Sequence, residues 1–132
     1  MSDDTVEQFV NAVEDEARRN DSRELVRMMR DATASAPALW GSIVGFGTHH
    51  YRYDSGREGD TMAVGFSPRK SALVVYGLQD DQQARERVQE LGPVRLGKGC
   101  VYIKRLSDVD TGVLSELIAS AYTSRHNSDP TA

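Results

Sequence analysis

The hydrophobic spacing of this chain changes near Pro37, and that change constrains the fold more than any other feature. Before Pro37, apolar residues recur three and four positions apart, which is typical of amphipathic helices. These residues are Val6, Phe9, Val10, Val13 and Ala17, followed by Leu25, Val26, Met28, Met29 and Ala32. After Pro37, short runs rich in β-branched and aromatic residues follow one another, which is typical of strands. The chain is therefore predicted to begin with helices and to continue with a sheet.

Two helices are predicted ahead of Pro37. The first runs from Asp4 to about Arg19. The polar run Asn20–Ser22 interrupts the pattern, and Asp21 is predicted to cap the second helix. Pro37 ends that helix, because proline lacks the amide proton that the helical hydrogen-bond ladder needs.

Extended runs in the middle third predict an antiparallel meander. The runs are Ile43–Gly47, His49–Asp54, Thr61–Ser67 and Ser71–Leu78, with the first counted as an extra strand. Turns are predicted at Ser55–Asp60 and Ser67–Lys70, where glycine or proline accompanies polar residues. The run Ser71–Leu78 is nearly continuous in apolar residues, so it is predicted to be a buried central strand.

The last third is predicted to add a helix closed by Gly92-Pro93, a strand over Cys100–Leu106 and a final helix through Val113–Ala121. The predicted fold class is α+β, a two-layer sandwich of helices against an antiparallel sheet of about four to five strands. Its element order is α-α-β-β-β-α-β-α. Residues 1–123 are predicted to form a single domain, and residues 124–132 a polar, disordered tail.

The charge of the chain argues against one class of partner. The formal net charge is −4, and residues 1–34 carry all of the excess, with nine acids against five bases, whereas acids and bases balance in the rest. An acidic chain without a basic stripe is a poor nucleic-acid binder, because cationic side chains supply most of the affinity for phosphate. The sequence contains no apolar run long enough for a membrane helix, so no membrane segment is expected. Its first residues are acidic and lack the basic start and apolar stretch of a secretory signal, so no export is expected. The single cysteine, Cys100, excludes an internal disulfide, so a cytoplasmic location is expected.

Several sequence blocks carry a family resemblance. They are Trp40–Gly47, His50–Gly59, Gly65–Lys70 and Gly99–Asp110. In this order they resemble the YdhG-like family of small bacterial domains, over about Thr5–Tyr122. Some relatives in that family are described as iron chaperones similar to frataxin. The resemblance therefore implies a sandwich of helices on a sheet, with iron as a candidate ligand.

Acidic residues of the first predicted helix are one candidate metal site. Asp4, Glu7, Glu14 and Asp15 could present carboxylate oxygens, which hard cations prefer. The alternative is a solvated helix face with acids favourably placed near the helix N-terminus. Asp15 and Glu16 diverge by about 100° around a helix, so no compact cage follows from the spacing.

The strand with two histidines is a second candidate site. Successive side chains of a strand point to opposite faces, so His49 is predicted to lie with Tyr51 and Tyr53, and His50 on the other side. The two imidazoles are therefore not expected to share one ion. Either face could be an ordinary surface, or a polar pocket in which tyrosine hydroxyls and an imidazole orient a small ligand.

Charged turn residues and one tryptophan complete the candidate ligand-binding set. Arg57 and Glu58 lie in one predicted turn and Arg69 and Lys70 in the other, so the two pairs are expected at opposite ends of a strand. Each turn could hold exposed ion pairs, or could bind an anion through its cations. Trp40 follows the second predicted helix and is expected either to plug the core or to form a pocket wall.

No catalytic constellation is visible, so the leading hypothesis is a non-enzymatic binding domain for a small molecule or a metal ion. Gly97-Lys98-Gly99 runs into a strand and lacks the Walker spacing, and it is interpreted as a turn. Cys100 is interpreted as a structural thiol. Two alternatives remain open: a small enzyme that uses His50 or a tyrosine as an acid or base, and a homodimeric interaction module.

Overall fold

The computed structural model describes residues 2–52, 54–79, 82–97 and 100–126, and the side chains of 2–4, 51 and 52 are outside that description. The helices are α1 (Ser2–Asn11), α2 (Glu16–Thr33), α3 (Gln82–Val88) and α4 (Thr111–Arg125). The first strands are β1 (Pro37–Trp40), β2 (Ile43–Phe46), β3 (His49–Arg52) and β4 (Glu58–Thr61). The remaining strands are β5 (Val64–Pro68), β6 (Leu73–Tyr76), β7 (Arg95–Leu96) and β8 (Cys100–Ile103), and short 3-10 turns lie at Gln89–Leu91 and Leu106–Asp108.

The fold is α+β, as predicted, with one layer of helices on an antiparallel sheet. Six strands pair in the order β1-β2-β5-β6-β8-β7, and β3 pairs with β4 in a second, two-stranded sheet. The main sheet is wider than the predicted four to five strands, because Pro37 begins a strand and the two-residue β7 adds to the far edge. Proline is compatible with this position, because Pro37 is the first residue of an edge strand, where the missing amide proton costs no hydrogen bond within the sheet.

The core lies between the helices and one face of the sheet, called here the inner face. Alternate strand residues supply it, and they are fully or almost fully buried. They are Val44, Phe46, Val64, Phe66, Leu73, Val75, Val101 and Ile103. The helices contribute Val6, Val10, Leu25, Met29, Leu114, Leu117 and Ile118 to the same cluster.

The predicted boundary between the first two helices is wrong. The chain leaves α1 after Asn11, and Asp15 caps α2 by accepting a hydrogen bond from the Arg18 amide at 2.8 Å. Asp21 lies inside α2, where its carboxylate accepts from Arg105 Nε at 2.8 Å and from the Leu106 amide at 3.1 Å. These tertiary bonds allow a polar residue in the helix, whereas its sequence neighbours suggest a break.

Strands β2 and β3 form one side of a long hairpin, and β4 and β5 form the other. The pairs Phe46↔Val64 and His49↔Thr61 keep one continuous register through the bend between the two sheets. At the bend, Gly47 has a φ of +74°, and a Cβ there would lie 2.5 Å from Tyr122 Cε1. Only glycine combines that backbone conformation with this close approach to α4. The β3–β4 hairpin is called the arm below.

The structure corrects two other predicted boundaries, one in the arm and one at the end of the last helix. Glu58 and Asp60 belong to β4 instead of a loop, and Met62 and Ala63 separate β4 from β5 where one strand was predicted. Helix α4 continues to Arg125, so the first residues of the predicted tail, 124 and 125, are helical, while residues 127–132 lie outside the described residues. Within the described part of the chain, the helices are too short or too polar to cross a bilayer.

Candidate functional site

The sheet has a second face, the outer face, built by the strand residues that alternate with the core residues. It mixes small, aromatic and polar side chains with a few aliphatic ones. The outer-face residues are Ala38, Trp40, Ile43, Gly45, Gly65, Ser67, Val74, Tyr76, Arg95, Cys100 and Tyr102. Several arginine and tyrosine groups therefore gather at one end of this face.

Two tyrosines lie side by side because of the register between β6 and β8. Val74 is paired with Tyr102 and Tyr76 with Cys100, so the two phenols are diagonal neighbours on one face. Both side chains are half-buried and line a cavity of about 170 Å³. The wall of the cavity is completed by Arg69, Ser71, Ala72 and Val74.

Arg69 enters this cavity from the turn between β5 and β6. The turn is closed by the Arg69 amide, which donates to the carbonyl oxygen of Ala72 at 2.9 Å. The Arg69 guanidinium donates through Nη2 to the Tyr76 hydroxyl at 3.2 Å. A tight backbone turn and a side-chain hydrogen bond therefore hold an exposed cation at the edge of the cavity.

A second guanidinium, that of Arg95, lies over the Tyr102 ring with its Cζ 4.5 Å from the ring centroid. This is the geometry of a cation–π contact. The hydrogen bond between the Tyr102 phenol and the Cys100 thiol is the main cause that raises the pKa of Tyr102, and the Arg95 charge opposes it. Tyr102 therefore keeps its phenol proton at neutral pH.

Among the described residues that line this cavity, Arg69 is the cation and no carboxylate is present. Arg69 contacts a neutral phenol, and Arg95, which lies over the Tyr102 ring, adds a second positive charge next to a wall of the cavity. The Arg69 guanidinium and the Tyr76 hydroxyl supply hydrogen-bond donors together with positive charge. This donor set fits an oxyanion, because arginine presents a planar fork of N–H groups to carboxylate or phosphate oxygens.

In the arm, the two histidine side chains have different partners on opposite sides of strand β3, as predicted. His50 lies between two carboxylates of β4, donating from Nδ1 to Asp60 at 2.8 Å and from Nε2 to Glu58 at 2.9 Å. The hydrogen bond with Asp60, followed by that with Glu58, raises the pKa of His50 above its usual value. Both ring nitrogens are occupied, and the carboxylates lie on opposite sides of the ring, so they do not converge on one ion.

His49 has a different role on the other side of the arm. Its Nδ1 donates to the Arg125 carbonyl at 3.1 Å, near the end of α4. His126 accepts a hydrogen bond from the Thr48 amide at 3.0 Å and stacks on Tyr122 with ring centroids 4.5 Å apart. These contacts fasten the arm to α4, and the local pattern around His49 gave no signal for partners so distant in sequence.

The remaining candidate residues are dispersed. Arg57 lies at the tip of the arm next to Glu58, whereas Arg69 and Lys70 lie in the turn at the opposite end of the long hairpin. Trp40 is on the outer face, where its ring would contact a Cβ placed at Gly45, so it does not plug the core. Tyr53 and the side chain of Tyr51 fall outside the described part of the structure.

The acidic candidates do not gather into a metal centre among the described side chains. Asp15 caps α2, Glu14 is exposed, and Glu7 lines a groove that also contains two arginines. The Asp4 side chain is outside the described set. In the ranges that the structure describes, no group of three or more His, Cys, Asp or Glu residues is arranged to hold a metal ion.

The fold and the outer face define the protein as an α+β sandwich with a cationic, tyrosine-lined cavity on the sheet. Comparisons with protein-family models, curated proteins and solved structures find no match.

Proposed function

We propose that this protein is a non-enzymatic binding domain for a small anionic molecule, and that the outer-face cavity holds the anionic group. One observation carries the proposal. Arg69 holds its guanidinium against the Tyr76 hydroxyl in the wall of a cavity of about 170 Å³, and Arg95 lies over the ring of Tyr102, which lines the same cavity. Carboxylate and phosphate groups share the oxyanion chemistry that these donors fit.

The energetics favour an anion at this place. Hydrogen bonds between charged partners contribute about 1.5–3 kcal/mol each, roughly twice the contribution of neutral pairs. Arg69 and Tyr76 are already connected, so little side-chain entropy is lost when a ligand reaches both. Arg95 is oriented by the Tyr102 ring in the same way.

The proposal assigns no catalytic step and no metal. Both His50 nitrogens are engaged by carboxylates, so a substrate would have to displace one of them to reach a base. Iron stays a prediction from the family resemblance, since no three-residue ligand group is present among the described positions.

The test is a titration of the purified protein with inorganic phosphate and, separately, with acetate, followed by amide NMR shifts. The largest shifts are expected at Arg69, Ser71, Tyr76 and Tyr102, because these residues lie at the cavity. Arg69→Ala should weaken binding about tenfold or more, since one charged hydrogen-bonding group is lost. Comparison of the two anions shows whether the cavity prefers phosphate or carboxylate oxygens.

Arg57→Ala is the matched control, because it removes an exposed arginine at the far end of the long hairpin. It should leave the affinity unchanged. Equal loss in both variants would reduce the effect to general charge attraction, and shifts confined to other surfaces would reject the cavity as the site.

A further inference from the structure

A second cavity, of about 380 Å³, lies between α1, α2 and the start of β1. Its floor is apolar and is formed by Val6, Val10, Val26 and Pro37. Val6 and Val10 are almost fully buried members of the core, so the floor belongs to the rigid part of the fold. This space is called the helix groove below.

Polar groups border the helix groove on both sides. The α1 side carries Glu7 and Asn11, and the α2 side carries Arg23 and Arg30. The charged groups at its border are thus contributed by both helices. An apolar floor with a few convergent polar groups is the usual composition of a small-molecule site.

Arg23 is held at the border of the groove by neutral partners. Its Nη2 donates to Asn11 Oδ1 at 2.6 Å, which connects α2 to the last residue of α1. Its Nη1 donates to Asn20 Oδ1 at 3.3 Å. The guanidinium is thus oriented by two amide oxygens, and neither of them cancels its charge.

The helix groove, at about 380 Å³, has the size of a small-molecule pocket, for which about 300–1,000 Å³ is usual, so it has room for a short aliphatic chain. We propose that the helix groove binds an unbranched aliphatic carboxylate of about ten to twelve non-hydrogen atoms. The carboxylate contacts Arg23, and the hydrocarbon chain covers Val6, Val10 and Val26.

This site is separate from the outer-face cavity in residues and in chemistry. The outer-face cavity is lined by two phenols, one guanidinium and small or β-branched side chains, whereas the helix groove combines one oriented cation with an aliphatic floor. A charged head and a long apolar tail are needed together in the helix groove, and neither alone should bind well.

The experiment is calorimetric titration with decanoate, 1-decanol and acetate, supported by methyl NMR shifts of Val6, Val10 and Val26. Decanoate should bind, and the affinity should rise roughly fourfold for each methylene from hexanoate to decanoate as apolar area is buried. Decanol and acetate should each bind at least tenfold more weakly than decanoate.

Arg23→Gln tests the anchor, and Arg27→Gln is its matched control. Arg27 is an exposed arginine of the same helix that pairs with Glu24 and Asp31 and does not line the groove. Arg23→Gln should weaken decanoate about tenfold or more and should have less effect on decanol, while Arg27→Gln should change neither. Circular dichroism of both variants checks that the helices stay folded.

Two results would overturn the helix-groove site: equal affinity for decanol and decanoate, or decanoate shifts that map to the outer face. Phosphate binding at Arg69 is measured in the same Arg23→Gln protein and should be unchanged. Loss of the groove site and loss of the outer-face site are therefore distinguished by which ligand stops binding.

Discussion

The inner and outer faces of the main sheet are made by alternate residues of the same strands, yet their chemistry differs. Val75 and Val101 face the helices and are completely buried, whereas their immediate neighbours Tyr76 and Tyr102 lie half-buried at the cationic cavity. Stability and proposed binding therefore depend on residues only one position apart. Substitutions on the two faces should separate the two properties.

The largest expected loss of stability comes from a substitution on the inner face. Phe66→Ala removes a fully buried ring from the centre of the sheet and should lower the free energy of unfolding by about 3–5 kcal/mol. Urea denaturation followed by circular dichroism measures the change. Tyr76→Phe, on the outer face of the neighbouring strand, should cost about 1 kcal/mol or less while weakening phosphate binding. If Tyr76→Phe were as destabilising as Phe66→Ala, the division between the two faces would be wrong.

An intermediate loss of stability is expected at Gly65, where β5 packs closely against β2. A Cβ at Gly65 would lie 2.7 Å from the carbonyl oxygen of Val44 and 3.2 Å from Gly45 Cα, and both are backbone atoms that cannot rotate away. Gly65→Ala should therefore lower the free energy of unfolding by about 1–3 kcal/mol.

Gly112→Ala is the control of opposite sign for that experiment. Gly112 lies in the first turn of α4, where its added Cβ would lie 3.3 Å from Asp110 Oδ1, the side-chain atom that caps the helix, and a shift of a few tenths of an ångström in that side chain relieves the contact. Alanine is the better helix former, so thermal or urea unfolding should show unchanged or slightly raised stability. Equal destabilisation by both substitutions would contradict the close packing at Gly65.

The smallest expected effect on stability comes from the protonation of His50 in the arm. The hydrogen bonds to Asp60 and Glu58 raise the folded-state pKa of His50 above 6.5, so the folded protein holds this proton more tightly than the unfolded chain. The resulting stabilisation is fully present below about pH 6.5 and is lost as pH rises through the raised pKa. Because the His50 side chain is only partly buried and both carboxylates are exposed, the contribution is small.

Urea midpoints at pH 6 and pH 8.5 test this sign. The wild-type protein should lose more stability between the two values than His50→Gln, which has no titrating group at that position. A proton NMR titration of the His50 ring should give a pKa above 6.5. A midpoint at or below that value would show that the two carboxylates do not hold the proton in solution.

The α+β class and most element types could be predicted from hydrophobic spacing, because each helix and strand has its own period. The boundary between α1 and α2 could not be predicted in this way, because it depends on which aspartate caps a helix and which forms a tertiary hydrogen bond. Asp15 caps a helix locally, but Asp21 is stabilised within α2 by Arg105, 84 residues further along the chain. Strand β1 does not follow from the pattern either, because a proline after a helix indicates a helix stop as readily as the first residue of an edge strand.

The outer-face site was only partly predictable. Arg69 was singled out as a turn cation, but its partners Tyr76 and Tyr102 were not. The alternation of Val75 with Tyr76, and of Val101 with Tyr102, is the available signal that these tyrosines face away from the core. Their proximity required the register between β6 and β8, which local sequence does not specify.

The unbroken register of the long hairpin bears on the order in which the chain folds. Once the tip between Arg52 and Glu58 closes, each further strand pair down to Val44↔Phe66 adds to a ribbon that already exists. No large new loop has to be closed for these pairs, so their entropic cost is low. The pairing of β6 with β8 spans a longer segment and should follow. Closure of the tip, at the end of the long hairpin opposite Arg69, would thus nucleate the strands up to β5, which leads into the Arg69 turn of the outer-face cavity.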